Sequence, residues 1–447
     1  MKTFVTLLLC LFPVSLFAQV NDEIHRAMDN YDYETVISLI APNSQDSASV
    51  VTRVQALKAM NRYNEAIMEL NSLLTPDSTN TKTLIDLAEC YKLTGNSRKA
   101  AGCYRKASEQ QPENKYFRLQ NIRSLLAAED YEAARTACHG WLERDTCSAT
   151  GFKFLGQAYE GMQDVSSAFF SYNAAYRRDS LDDQTVARIA NIFNNNNQFA
   201  DALMVSERYL LTDTTSIDVI RQNAKAYCLT GDYKKAIERY ESLKRLGDRS
   251  FMTYFYLGVS YYGDNWFYGS YENLLEAYRL NPTDVNLLYY FGKSAARTSW
   301  KKEGAEYMEE AVRIATPADS LLIRLQKGLI ECYKYSGETS KKIAAMEKLY
   351  QMNRDYKLFY QIANDYDWAK EYKKAVTYYE KYMTLAPKEE RDPIYDQDGK
   401  LVEDAVTTFQ RAERRVQKIK AEDFFKNGAP DDNHPVPIIR RDTIALK

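Results

Sequence analysis

Gly95-Asn96-Ser97-Arg98-Lys99-Ala100, followed by Tyr104, Ala107 and Pro112, is the stretch on which the fold turns. Ala88 lies 12 residues before Ala100, and Tyr91 follows it. The same roles return at a step of 34 residues, and a fixed period of this size is the mark of a repeat architecture. Residues 149–182 supply Phe152, Leu155, Gly156, Tyr159, Ala168, Tyr172 and Ala175. Residues 217–250 supply Ala224, Tyr227, Gly231, Tyr233, Ala236 and Tyr240. Residues 251–284 supply Tyr254, Leu257, Gly258, Tyr261, Ala277 and Pro282, and residues 356–389 supply Phe359, Ala363, Tyr366, Tyr372, Ala375, Tyr379 and Pro387. Residues 47–318 make eight units without insertion. Residues 319–322 break the register, a ninth unit occupies 323–355 and a tenth 356–389.

The spacing dictates the local structure. Positions 4, 7, 8 and 11 of a unit share one helical face, and positions 20, 24 and 27 share a face of a second helix. Small residues at positions 8 and 20 let two backbones approach, as in Ala88 with Ala100, Gly156 with Ala168 and Ala224 with Ala236. Aromatic residues at 11, 17 and 24 fill the space between neighbouring pairs. Gly or Asn near position 15 ends the first helix in the left-handed conformation. Pro112, Pro282 and Pro387 stop the second helix. No single hairpin buries its apolar face alone, so the units must stack.

The pattern resembles the tetratricopeptide repeat family over about 340 of the 447 residues, most sharply in 81–114, 149–182 and 251–284. The resemblance implies an all-α, right-handed superhelical solenoid of about ten helix pairs that binds peptides or protein surfaces. Departures are Arg53 at position 7 of the first unit, Gly304 in the eighth and Lys342 at the small position 20 of the ninth. A truncated unit over 19–46 precedes the repeats of 47–389.

Composition excludes much else. The chain has 447 residues, 59 basic and 61 acidic side chains and a net charge of -2, which argues against a surface built for nucleic acid. Three His among 35 Tyr leave little for metal or acid–base chemistry. Lys2 and the apolar run from Phe4 to Phe17, ending at Ala18, read as a signal peptide over 1–18 with Gln19 starting the mature chain. Cys10 lies in mid-run, away from where a lipoprotein signal places its cysteine, and no later stretch is long and apolar enough to span a bilayer. The expected location is therefore the periplasm, with the cell surface or secretion as the other outcomes and association with envelope complexes. At the other end, Glu389-Glu390-Arg391-Asp392-Pro393 reads as a polar linker, and Asp398-Gly399 as a tight turn in a segment spanning 390–400. Leu401, Ala405, Phe409, Ala412, Val416 and Ile419 trace a capping helix over 401–425. Its opposite face carries Arg411, Arg414, Arg415, Lys418 and Lys420, a solvated face or a contact for an acidic partner. An extended tail, 426–447, follows.

Motifs for chemistry fail on inspection. Gly292-Lys293-Ser294 lacks the Gly that a phosphate loop needs at 287, and Gly292 falls at a packing position. Asp392, Asp396, Asp398 and Glu403 lack calcium-loop spacing, since 394 is Ile and 405 is Ala. His25, His139 and His434 are dispersed. No catalytic residue, cofactor or metal is expected, and the chain reads as a non-enzyme. Six cysteines follow the leader without a CxxC. Cys103 with Cys138 and Cys138 with Cys147 are the candidate disulfides, against free buried thiols. Asp145-Thr146, Asp179-Ser180, Asp213-Thr214 and Asp319-Ser320 read as helix caps, or in two cases with the following Leu as glycan acceptors.

The resemblance also implies a concave wall lined by positions 2, 5, 9, 12 and 13 of the first helices. Carried onto this sequence, the candidate partner-binding residues are Lys153, Asn191, Arg221, Lys225, Phe255, Tyr262, Tyr289, Lys293, Arg297, Lys327, Tyr360 and Trp368. Cations interleaved with rings suit carboxylates, peptide backbone and apolar side chains. No unit pairs Lys at 5 with Asn at 9, so a clamp for a C-terminal carboxylate is not expected. The expected function is a protein- or peptide-binding scaffold of the cell envelope. A carbohydrate or cell-wall polymer binder that stacks sugars on rings is the alternative.

Overall fold

The computed structural model describes residues 20–42, 44, 46–74, 80–315, 319–391 and 406–427, and every regular element among them is helical. The stretch read as a signal, the Asp398-Gly399 pair read as a turn and the residues from 428 onward lie outside the described residues. Contacts divide the chain into two compact bodies, Met1–Ala226 and Tyr227–Lys447. The N-terminal body holds α1 (20–29), α2 (Tyr33–Leu39), α3 (Ser47–Ala59), α4 (Tyr63–Ser72), α5 (Thr81–Leu93), α6 (Ser97–Gln110), α7 (Lys115–Ala127), α8 (Tyr131–Arg144), α9 (Ala149–Gly161), α10 (Val165–Tyr176), α11 (Asp183–Asn195) and α12 (Phe199–Leu210). The division falls within α13 (Ile217–Thr230). The C-terminal body continues with α14 (Tyr233–Arg245), α15 (Phe251–Gly263), α16 (Phe267–Leu280), α17 (Val285–Ala296), α18 (Lys301–Ile314), α19 (Asp319–Ser336), α20 (Thr339–Asn353), α21 (Lys357–Trp368), α22 (Tyr372–Leu385), α23 (Lys388–Arg391) and α24 (Thr408–Asn427). Within each body successive helices pack as hairpins, two per 34-residue unit, as the period requires.

Local chemistry sets each boundary. The turn from first to second helix is left-handed at position 15 in nine of the ten units: Asn61, Gly95, Glu129, Gln163, Asn197, Gly231, Asn265, Gly337 and Lys370 all have positive φ. The conformation is therefore imposed by the hairpin, since Glu, Gln and Lys adopt it at three of these places despite the steric cost. First helices open on a side-chain cap such as Asn80, Asn114, Ser148, Asp182 and Asp284. The pairs that begin at Asp145, Asp179 and Asp213 are not these caps, which corrects the sequence reading for them, while the surroundings of the Asp319 side chain lie outside the described residues. Asp145 follows α8, and the cap of α9 comes three residues later at Ser148. Asp179 and Asp213 instead accept from Leu181 and Thr215 N–H and fold the loop two residues on.

Position 24 is the centre of the packing. Tyr104, Tyr172 and Tyr240 are fully buried there, and Leu70, Cys138, Leu274 and Met308 take the same place in other units. Several buried phenols donate to a carboxylate on an adjacent helix: Tyr172 to Glu160 at 2.6 Å, Tyr261 to Glu241 at 2.9 Å, Tyr333 to Glu309 at 2.6 Å and Tyr382 to Glu390 at 2.7 Å. In these four the ring fills apolar space and the hydroxyl is satisfied. The six described cysteines are free and all but Cys147 are buried, so the free-thiol reading holds over the candidate pairs Cys103–Cys138 and Cys138–Cys147. Cys103 and Cys138 pack in separate apolar clusters, and burial pushes the Cys138 thiol up to about 12.

The departures from the pattern are accommodated. Gly292 lies in α17, and a Cβ built there would sit 2.8 Å from the Gly304 carbonyl oxygen, so the Gly-Lys-Ser triplet is a helix contact. Lys342 points its ammonium to Asp365, 2.7 Å away. Residues 319–322 extend α19 into an 18-residue helix instead of forming a loop. The Glu389-Glu390-Arg391 linker is in fact the turn α23, tied down where Glu390 accepts from Tyr356 and Tyr382. The capping helix is observed over Thr408–Asn427, with 401–405 outside the described residues. It buries Ala412, Val416 and Ile419 against Tyr379 and Tyr382, and Arg415 grips Asp367 through two hydrogen bonds of 2.6 Å. Lys420 also turns to the last repeat, pairing with Glu380 at 2.8 Å, so that part of its cationic face serves docking.

Candidate functional site

The candidate residues fall into two groups, one in each body. In the N-terminal body, α9, α11 and α13 present Lys153, Asn191, Arg221 and Lys225. Lys153 pairs with Asp182 at 2.8 Å, and Arg221 with Asp218 at 2.7 Å. Lys225 donates to the amide of Asn195 at 3.0 Å, and burial lowers its pKa. Asn191 lines a cleft of about 410 Å³ with Gln157, Gln184, Ala187, Arg188, Asp218 and Gln222. This wall is rich in amides, and Lys153, Arg188 and Arg221 each pair with a carboxylate of the same body.

The C-terminal body holds a denser constellation. The position-9 and position-13 residues of the eighth unit, Lys293 and Arg297, converge on the position-9 residue of the ninth, Glu331. Lys293 Nζ lies 2.9 Å from Glu331 Oε2, and Arg297 Nη2 donates to Glu331 Oε1. Rings enclose the three. Lys293 Nζ is 5.3 Å from the centroids of both Tyr262 and Tyr289. The Arg297 guanidinium lies 5.2 Å from Tyr262, 4.8 Å from Phe267 and 5.8 Å from Tyr335. Arg324 covers Tyr289 at 4.8 Å and donates to Asn286. Phe255 joins through Tyr290, which touches both Phe255 and Tyr262 edge-on. Lys327 is exposed and shares a face of α19 with Arg324 and Glu331, at spacings of three and four residues. Glu331, Phe267 and Arg324 were absent from the sequence candidates. Position 9 alone pointed to Glu331, while the side chains of Phe267 and Arg324 join only through tertiary contact.

Tyr360 and Trp368 stand apart from this group. Tyr360 packs on Tyr379 and Tyr382 beneath the capped end of the stack. Trp368 is 89% exposed at the end of α21.

Burial opposes the charged forms, but the pairing prevails. Partial burial would raise the Glu331 carboxyl, and the hydrogen bonds from Lys293 and Arg297 hold it below the usual range. Burial likewise opposes the Lys293 ammonium, which Glu331 and the neighbouring phenols hold above its ordinary value. A depressed carboxyl contributes stability that is complete above its unfolded pKa of about 4.3 and is lost as pH falls through the folded value. We therefore expect the melting temperature of the full chain to fall on acidification from pH 7 to about pH 3.5, and to fall less in Glu331→Gln. Parallel profiles by circular dichroism would refute this role for Glu331. No group of three or more His, Cys, Asp or Glu among the described residues is arranged to hold a metal ion, and no helix among them is long and apolar enough to cross a membrane.

No family model matches the chain. A curated protein does: Superkiller protein 3 of Schizosaccharomyces pombe is 24% identical over 304 residues, covering 61% of this chain. The chain spans 20% of that relative's length. Among solved structures, a tetratricopeptide repeat protein from Parabacteroides merdae covers 57% of this chain and 99% of its own, at 13% identity and a TM-score of 0.41. YrrB, described as a TPR protein with an unusual peptide-binding site, covers 42% of this chain and 94% of its own, at 18% identity and a TM-score of 0.36. The chain is similar to tetratricopeptide-repeat proteins. The likeness rests on the helical hairpin and its period, and at these identities it transfers neither partner nor activity.

Proposed function

We propose that this is a non-enzymatic member of the tetratricopeptide repeat family that binds a protein or peptide along the wall formed by its first helices. The observation that carries the reading is the array of half-buried Tyr262, Tyr289, Lys293 and Arg297 with the exposed Tyr335, on α15, α17 with its C-cap, and α19. Its rings supply apolar contact and its cations supply direction, the combination enriched where binding energy is concentrated. The peptide reading is favoured over sugar stacking because faces of Tyr262, Tyr289 and Phe267 are already covered by cations. We further propose export to the periplasm, on the strength of the apolar run from Phe4 to Phe17.

A photo-crosslinking residue placed at Tyr289 should trap a protein partner in envelope extract, and one placed at the outward-facing Lys106 should not. The double change Arg221→Glu with Lys293→Glu should abolish capture while leaving the helical spectrum intact. Unchanged capture would remove the binding role of this wall. Mature protein that starts at Gln19 in a periplasmic fraction is the outcome expected for export, and retention of residues 1–18 would overturn it.

A further inference from the structure

The reading above leaves the chemistry of the partner open, and the charges on α17 and α19 narrow it. We propose that Lys293 and Arg297 form a receptor for an acidic side chain of the bound peptide, with Glu331 as the protein's own occupant in the unbound state. The inference rests on the peptide-binding reading and adds to it a partner class and an exchange step.

Two cations share one carboxylate here, although Lys carries three donors and Arg five. Arg297 Nε is buried and has no hydrogen-bond acceptor. Lys293 and Arg297 both pair with Glu331, and Arg324 and Lys327 are exposed on the face of α19 that carries it. The amide-rich wall of the N-terminal body differs, since Lys153 and Arg221 there each have a carboxylate. Tyr262, Tyr289, Phe267 and Tyr335 limit water around the cations, which strengthens their attraction for an entering carboxylate. An incoming Asp or Glu can replace Glu331 or share its cations, with an aromatic neighbour settling on the rings. Lys327 and Arg324 then lie one and two turns away along α19 to meet a second acidic residue. The protein's own Glu331 competes with the ligand, so its removal should strengthen binding. That sign separates a receptor from a merely structural ion pair.

The test uses the full mature chain and three fluorescein-labelled peptides of equal length, alternating Tyr with Glu, Gln or Lys. Fluorescence anisotropy should show preference for the Glu peptide, weakening as salt is raised. Glu331→Gln should tighten the Glu peptide about tenfold, and Arg297→Gln should weaken it by a similar factor. Should Arg297→Gln fail to fold, the exposed pair Arg324→Gln with Lys327→Gln provides the same test and should also weaken binding. Equal binding of the Glu and Gln peptides, or weaker binding in Glu331→Gln, overturns the receptor while leaving peptide binding standing. Failure of all three peptides, with preferential binding of polygalacturonate, overturns both this inference and the peptide reading.

Discussion

Gly304→Val is expected to destabilise the α17–α18 hairpin by about 3 kcal/mol, near the upper end of ordinary overpacking. A Cβ built at Gly304 would lie 2.6 Å from the Ala296 nitrogen and 2.7 Å from the Gly292 oxygen. Both atoms belong to the backbone of the facing helix, so no rotamer change relieves the clash. Gly304→Ala sets two effects against each other, since Ala gains about 1 kcal/mol of helix propensity over Gly. The backbone overlap should win, and the variant should still be less stable than the parent. Gly102 supplies the control, because a Cβ there meets nothing within 4 Å and Gly102→Ala in α6 should stabilise by about 0.5–1 kcal/mol. Urea unfolding followed by circular dichroism reads both signs. A Gly304→Ala chain at least as stable as the parent would show that these helices do not pack backbone to backbone.

Arg53→Ala should cost about 3–5 kcal/mol, the loss associated with breaking a buried ion pair by removing one partner. Arg53 and Glu69 are 2.9 Å apart with side chains only 7% and 6% exposed. Arg53 also donates to the carbonyls of Ile37 and Ile40, which the end of α2 leaves without helical partners. One guanidinium thus joins α2, α3 and α4. The double variant Arg53→Met with Glu69→Met should lose much less than the two single changes added together, because no charge is left buried alone. Additive losses, or a loss below about 1 kcal/mol for Arg53→Ala, would contradict this account.

These two sites mark how far the sequence could be read. Gly304 and Arg53 both stood out as departures from the repeat, and each proved to be the centre of a specific contact. Position 9 likewise singled out Lys293, but nothing in its neighbours along the chain revealed that Glu331 would occupy it. The pairs at Asp145, Asp179 and Asp213 misled for the opposite reason. Their residue types suit a cap, and only the path of the backbone shows Ser148 or Asp182 performing that role.

The sequence by itself determined the 34-residue period, the helical hairpin, the left-handed turn at position 15 and the buried place of position 24. Each depends on contacts within a unit or with an identical neighbour, so repetition writes them many times over. The tertiary structure decided which charges are spent inside the protein and which face outward, where buried phenols find their carboxylates, and how α24 seats on the last repeat. Those pairings join residues that do not repeat, across helices whose side chains meet only after the hairpins have stacked, so no local spacing encodes them.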